Sequence, residues 1–103
     1  MQPSFGQVWT TGHPTHPEVL PRVPHLVVSS DLYNESGLGV IVVEIDPHEM
    51  RDPQLHEPIP GIGTVMLDRV AWYPQSWLRE HIGDLPEDRR VELGRLIRNL
   101  IGP

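Results

Sequence analysis

The chain lacks cysteine and lysine, and it has no long apolar run. Without cysteine there are no disulfides, thiolate zinc sites or cysteine nucleophiles. No stretch of about 18 apolar residues is present, so we expect no membrane-spanning helix. The N-terminus lacks the positive and apolar regions of a secretory signal, which favours a cytoplasmic protein. A length of 103 residues predicts a single domain, residues 1–103.

Positive charge is also scarce, and it is unevenly placed. Eight arginines stand against fourteen acidic residues, which gives a net charge of −6. Five arginines and five acids lie in residues 79–103, so the whole negative excess belongs to residues 1–78. An acidic body does not attract a phosphate backbone at long range. Any role on nucleic acid must therefore depend on a local site of arginine and histidine.

The sequence is rich in proline, with twelve in all, and it contains several short apolar runs. Prolines make residues 11–24 a long stiff loop, and loops of that length are more often functional. Alternating or β-branched runs predict five strands, at 6–10, 25–29, 40–45, 55–59 and 64–72. A single helical turn is predicted at 31–34.

The C-terminal segment has the pattern of an amphipathic helix. Asp84 and Glu87 have the spacing of a capping box, and Pro86 suits a first helical turn. Apolar residues then recur at helical spacing, at positions 93, 96, 97, 100 and 101. The predicted fold is mainly β: a small barrel or curled sheet of about five strands with this helix packed on it.

Several segments together resemble the MazF/PemK (Kid) family of bacterial toxins. Residues 6–9 (GQVW) resemble the opening strand of that family, and 24–29 (PHLVVS) resemble its second strand. Residues 67–70 (LDRV) and 77–85 (WLREHIGDL) resemble its later motifs, in the same order and at similar separations. Each motif is generic, but their joint order covers nearly the whole chain.

The resemblance implies an SH3-like barrel (CcdB/MazF/PemK-like) that forms a homodimer. It also implies a toxin of a type II toxin–antitoxin system that cleaves single-stranded RNA at specific sequences without metal or cofactor. The cognate partner would be a small antitoxin protein. The family chemistry is attack of a ribose 2′-hydroxyl on its neighbouring phosphate, which needs a base, an acid and a cation.

The candidate catalytic residues carried over from the resemblance are His13, Glu18, Arg22, Asp46 and Asp68. His13 would act as acid or base, and Arg22 would hold the phosphoryl oxygens. The match is partial: Val23 stands where the family has arginine, Asp46 where it has threonine, and Met66 where some members have arginine. Asp46 could itself be the base, or it could simply end a strand before Pro47.

Three further residues are candidate RNA contacts: His16, His25 and Arg69. No metal site is expected from the His13–His16 pair, since zinc sites usually need three or four convergent ligands. The aromatic residues Trp72, Tyr73 and Trp77 suit a core or a dimer interface, with base stacking as the alternative.

Two alternatives to an active ribonuclease stay open. One is a catalytically silent member of the family that only binds an antitoxin-like partner, which the replaced residues favour. The other is a CcdB-like poison that binds DNA gyrase. The C-terminus, residues 99–103 (NLIGP), lacks the terminal tryptophan that the resemblance to CcdB would require.

Overall fold

A sheet of antiparallel strands is the main element of the structure, a computed structural model that describes residues 2–16, 24–47, 52 and 55–101. Two helices and one 3-10 turn (Gln75–Trp77) accompany them. The elements are β1 Gln7–Thr11, β2 Pro24–Val27, α1 Asp31–Glu35, β3 Val40–Asp46, β4 His56–Ile59, β5 Gly63–Tyr73, β6 Leu78–Asp84 and α2 Glu87–Leu100. The five predicted strands, the helical turn and the C-terminal helix are all present.

The strands form one six-stranded sheet in the order β4-β5-β3-β2-β1-β6. Every pairing in it is antiparallel. The mainly β fold with a C-terminal helix is therefore confirmed, although the described sheet is not closed and has six strands instead of five. The strand missed by the sequence is β6, an edge strand whose central residues are polar and exposed. Without an apolar alternation it gave no strand signal.

The two faces of the sheet carry different residues. Adjacent strands align Val8 with Leu26 and Leu26 with Val43, which belong to the larger apolar cluster. Helix α2 covers this side and contributes Leu93, which is fully buried. We call this side the helix face. Burial of its alternating apolar side chains is what holds α2 on the sheet.

The opposite side carries a smaller apolar cluster of Trp9, Val27, Val40 and Val42. Partly buried side chains from the ends of β5 and β6 pack against it, and no helix of the described residues does so. In the same strands Trp9 pairs with His25 and His25 pairs with Glu44, so polar groups border this cluster. We call this side the open face.

The predicted capping box of α2 is wrong. Asp84 is the last residue of β6, where its carboxylate contacts His81 at 3.0 Å. The backbone stays extended through Leu85, whose N–H donates to the Gly6 carbonyl at 2.7 Å. Helix α2 therefore begins only after Pro86, and no side chain caps it. A bidentate pair between Arg89 and Glu57, at 3.1 and 2.6 Å, fastens its first turn to β4.

The connectivity brings three of the candidate residues, His13, His25 and Asp46, to one end of the sheet. The C-terminal ends of β1 and β3 lie beside the N-terminal end of β2, because Thr10 pairs with Pro24 and His25 with Glu44. Strand β5 bends where its register with β3 shifts, and Arg69 lies at this bend. No helix among the described residues is long and apolar enough to cross a membrane.

Candidate functional site

Five aromatic rings form a continuous row on the open face. His16 lies 5.1 Å from His13, and His13 lies 5.5 Å from Trp77, measured between ring centroids. Trp77 is 5.4 Å from Tyr73, which meets His25 edge-on at 5.2 Å. We call this row the ring ladder. It joins residues from the first loop to those at the end of β5, which no local pattern could have predicted.

At the inner end of the ladder, His25 is a buried structural residue. Its Nδ1 lies 3.3 Å from the Thr11 hydroxyl and its Nε2 lies 3.4 Å from the Tyr73 hydroxyl. Only 4% of the residue is exposed. The structure therefore does not support a direct RNA contact for His25, and it gives this ring the role of holding Tyr73 in place. The sequence placed His25 in an apolar strand but could not show which way it faced.

The phenol of Tyr73 has a displaced pKa. Burial raises the pKa of its phenol, and the negative charge of Glu44 raises it further. The phenol is therefore neutral at physiological pH. At this site the protonated phenol is a hydrogen-bonding group, with its oxygen 3.4 Å from Nε2 of His25.

Arg69, on the same strand as Tyr73, forms ion pairs with two acidic side chains of β3. Its NH1 lies 3.2 Å from Glu44 and 3.3 Å from Asp46. Two of the predicted site residues, Asp46 and Arg69, are thus brought together. The guanidinium offsets the negative charge of the β3 end, and it leaves Asp46 ion-paired instead of standing as an isolated carboxylate. Glu44 was not predicted, because its part depends on the register between β3 and β5.

The predicted catalytic residue Asp68 is placed differently. Its carboxylate is about half exposed and lies 3.6 Å from Nε2 of the buried His56 on β4. Its partner in the structure is a histidine, on the β4 side of the bend.

His13 is held with a defined ring orientation. Its Nδ1 accepts the backbone N–H groups of Thr15, at 3.2 Å, and His16, at 3.0 Å. A nitrogen that accepts these bonds carries no hydrogen, so the neutral ring holds its hydrogen on Nε2. In this conformation His13 is a hydrogen-bond donor toward a ligand. Proton abstraction by Nε2 would require the ring to change tautomer.

A cleft beside His13 contains a residue that the sequence interpretation missed. It encloses about 730 Å³ and is lined by Thr10, Thr11, Gly12, His13, Pro14, Arg79 and Glu80. The Arg79 Nε donates to the Gly12 carbonyl at 3.1 Å. Because β6 was not predicted as a strand, nothing in the sequence placed Arg79 opposite the first loop.

Glu18 and Arg22 lie outside the described residues, as does Val23. Their predicted roles are therefore neither supported nor contradicted by the geometry. Among the residues that are described, no three histidine or acidic side chains converge to hold a metal ion.

Comparison with known proteins decides the family. Residues 5–101 match the family described as PemK-like, MazF-like toxin of type II toxin-antitoxin system. The chain belongs to this toxin family. The match covers the ring ladder, the Arg69 cluster and the cleft, so all of them lie within the family domain. The search of curated proteins gave no match.

Solved structures show the same fold at low sequence identity. An endoribonuclease from a mycobacterial species superposes with a TM-score of 0.77 at 18% identity, over 96% of this chain and 90% of that one. The MazE–MazF complex of Deinococcus radiodurans (Form II) gives 0.75 at 21% identity, over 99% and 97% of the two chains. The toxin fold is thus kept although about four residues in five differ.

Proposed function

We propose that this chain is the toxin of a type II toxin–antitoxin system and that it cleaves single-stranded RNA at specific sequences. The observation that carries the proposal is the family match over residues 5–101. A second support is the open face, where the ring ladder and two arginines offer surfaces for bases and phosphates. The fold is also that of a mycobacterial endoribonuclease.

The proposed reaction is an internal transfer at phosphorus. The 2′-oxygen forms a bond to phosphorus, and the bond from phosphorus to the 5′-oxygen breaks. The 2′-hydroxyl proton passes to a base, and the leaving 5′-oxygen receives a proton from an acid. The products are a 2′,3′-cyclic phosphate and a 5′-hydroxyl. Donors fixed around the phosphoryl oxygens stabilise the charge that builds up in the transition state.

Of the proposed site residues, His13 and Asp46 lie at the same end of the sheet. His13 offers Nε2–H to the substrate, and Asp46, the last residue of β3, is the proposed proton acceptor. Arg69 holds Asp46 and supplies positive charge beside it. His16 extends the ring ladder toward solvent. In this proposal Glu18 and Arg22 join from the first loop, while Asp68 supports the bend in β5 through His56.

We also propose a homodimer and an antitoxin partner in the cytoplasm. Large apolar side chains are exposed on α1, on the turn after it and on β5, at Leu32, Leu38, Val70 and Trp72. Trp72 is 52% exposed, and its Nε1 donates to the Tyr33 hydroxyl at 3.0 Å. Apolar surface of this kind is typical of protein interfaces. Similar solved structures include a MazE–MazF complex and a mycobacterial endoribonuclease with its cognate antitoxin.

Purified protein incubated with total RNA, with and without EDTA, tests the proposal. We expect discrete cleavage in both conditions, with 2′,3′-cyclic phosphate ends. His13→Ala and Asp46→Asn should slow cleavage by roughly 10²–10⁴-fold, the range for positioned acid–base groups. Asp88→Asn, a carboxylate in the first turn of α2, is the matched control and should cleave like the wild type.

The same experiment separates the alternatives. A folded wild-type protein that cleaves no RNA would overturn the enzymatic part and favour the silent, antitoxin-binding alternative. Cleavage that is unaffected by both His13→Ala and Asp46→Asn would keep the enzyme but reject this site. If Asp46 only ends β3, Asp46→Thr should leave activity unchanged or higher.

A further inference from the structure

The cleft beside His13 presents hydrogen-bond donors that the protein itself leaves unused. The Nε of Arg79 donates to the Gly12 carbonyl, and the two terminal nitrogens of Arg79 have no hydrogen-bond partner among the described residues. The Nδ1 of His13 accepts two backbone N–H groups, and its Nε2 has no hydrogen-bond partner in the part of the chain described. Both side chains line the same cleft. Hydrogen-bond donors that line one cleft without a protein acceptor are typical of an anion site.

Arg79 is held in this position by an irregularity of the sheet. Thr10 pairs with Glu80 and Thr11 pairs with Leu78, so Arg79 is an extra residue on β6 with no partner on β1. Such β-bulges re-aim a side chain and are frequent next to active sites. The bond from Nε to Gly12 fixes the guanidinium further.

The composition of the cleft also restricts its ligand. Glu80 lines it together with the two donors, and Thr10 ties the Glu80 backbone N–H to β1 at 3.1 Å. A plain inorganic anion would gain from Arg79 and His13 but would be repelled by this carboxylate. A phosphodiester within an RNA chain suits the set better, because the riboses on both sides of it carry hydroxyl groups that can donate to Glu80.

We infer that Arg79, together with His13, binds the phosphodiester that is cleaved, with Glu80 facing a hydroxyl of a neighbouring ribose. This inference rests on the proposed RNA-cleaving function. Arg79 then supplies a cation that the resemblance led us to expect from the position before Pro24, where this chain has Val23. The guanidinium donates to the non-bridging oxygens, whose negative charge increases as the 2′-oxygen adds to phosphorus.

Two readouts on Arg79→Gln test the inference. Glutamine keeps an N–H donor for Gly12 but removes the positive charge. We expect cleavage to slow by about 10²–10³-fold, the usual cost of one transition-state donor. The second readout is binding to a short 2′-O-methyl RNA of mixed sequence, which cannot be cleaved. Its logarithmic salt slope should fall by about 0.7, the value for one phosphate contact on a single strand.

Matched variants make the result interpretable. Arg98→Gln removes an exposed arginine on α2, outside the cleft, and should change neither readout. Arg79→Lys keeps the charge without the planar fork, so it should retain the salt slope and recover only part of the rate. If Arg79→Gln lowers the melting temperature, this lysine variant carries the test, and a wild-type rate in it would reject the need for a guanidinium.

Failure of the inference differs from failure of the proposed function. If the wild type cleaves RNA and Arg79→Gln cleaves it at the same rate, the role of Arg79 is overturned. The proposed ribonuclease function would then still stand. An unchanged salt slope would overturn the phosphate contact, whatever the cleavage rate does. If the wild type cuts no RNA, the proposed function fails, and the binding slope still decides whether Arg79 meets phosphate.

Discussion

The helix face and the open face are built from alternate residues of the same strands, yet they differ in their polar side chains and in the elements that cover them. On β1, β2 and β3 the helix face receives Val8, Leu26 and Val43, all fully buried. The neighbouring residues Trp9, His25 and Glu44 turn to the other side. Because successive side chains of a strand point to opposite sides, the same three strands supply buried apolar residues to the helix face and polar residues to the open face.

The two faces are also covered differently. A fourteen-residue helix with a buried leucine closes the helix face. The open face has only strand ends, the 3-10 turn and the ring ladder around a smaller apolar cluster. Polar groups on this side are satisfied by one another, as in the pairs of Arg69 with Glu44 and of His25 with Thr11. The contrast predicts that mutations on the helix face affect stability, while those on the open face affect ligands.

The largest expected effect is on the helix face, at Leu93. This side chain is fully buried between α2 and the sheet, so Leu93→Ala should lower the unfolding free energy by about 2–5 kcal/mol. Val91→Ala, on the same helix at 82% exposure, is the control and should change it by less than about 0.5 kcal/mol. Urea denaturation measures both. Similar losses in the two variants would contradict the proposed packing of α2.

Gly63, where β5 begins opposite the end of β3, gives the next largest effect. Its φ is +151°, and a Cβ would stand 2.6 Å from the Asp46 carbonyl oxygen. Gly63→Ala should therefore cost roughly 2–3 kcal/mol through backbone strain and overpacking. Gly61 also has a positive φ, +80°, but nothing lies within 4 Å of its Cβ position, so Gly61→Ala should cost only about 1 kcal/mol.

The same pair of variants bears on the site. A shift of the Asp46 backbone would move its contact with Arg69, so Gly63→Ala should also reduce RNA cleavage in the fraction that remains folded. Gly61→Ala should not. Equal stability of the two variants, measured by thermal unfolding, would show that β3 and β5 do not approach each other as closely as the structure has them.

The helix-face prediction depends on information that the sequence itself contains. The spacing of Leu93, Leu96 and Ile97 is sufficient to indicate the buried stripe of α2. The alternation in β1, β3 and β5 likewise predicts strands, and all three are present. Local periodicity is enough here because an amphipathic element has to bury its apolar side, whatever its partner is.

The site was less predictable because its contacts are long-range. Asp46 and Arg69 are both candidates by resemblance, but their ion pair depends on the shifted register between β3 and β5. Arg79 meets the first loop only through the bulge in β6, a strand with no apolar alternation. The capping box failed for a similar reason: pairing with Gln7 holds Asp84 in the sheet and overrides its local preference.

On the open face, Trp77 offers a prediction of intermediate size. It stands between His13 and Tyr73 in the ring ladder, where a base could stack on it. Trp77→Ala should weaken binding to an uncleavable 2′-O-methyl RNA by about 1–3 kcal/mol, the usual value for one stacked base. Trp77→Phe keeps a ring and should lose less. Equal affinity of both variants and the wild type would assign Trp77 to packing alone.

The smallest expected effect is the titration of Tyr73, which reports how closed the open face is. The chain has two tyrosines, so a Tyr33→Phe variant isolates Tyr73 in an ultraviolet titration. Because burial and then Glu44 raise its pKa, we expect ionisation above the usual value of about 10. Glu44→Gln should lower that pKa only in part, since burial is the larger cause.

The folded state favours the neutral phenol of Tyr73. The stability that this phenol contributes is therefore present below about pH 10 and is lost as pH rises through the folded pKa. A Tyr73 that ionises at or below its usual pKa would mean that its ring is solvated and does not pack against the apolar cluster of the open face as the structure shows.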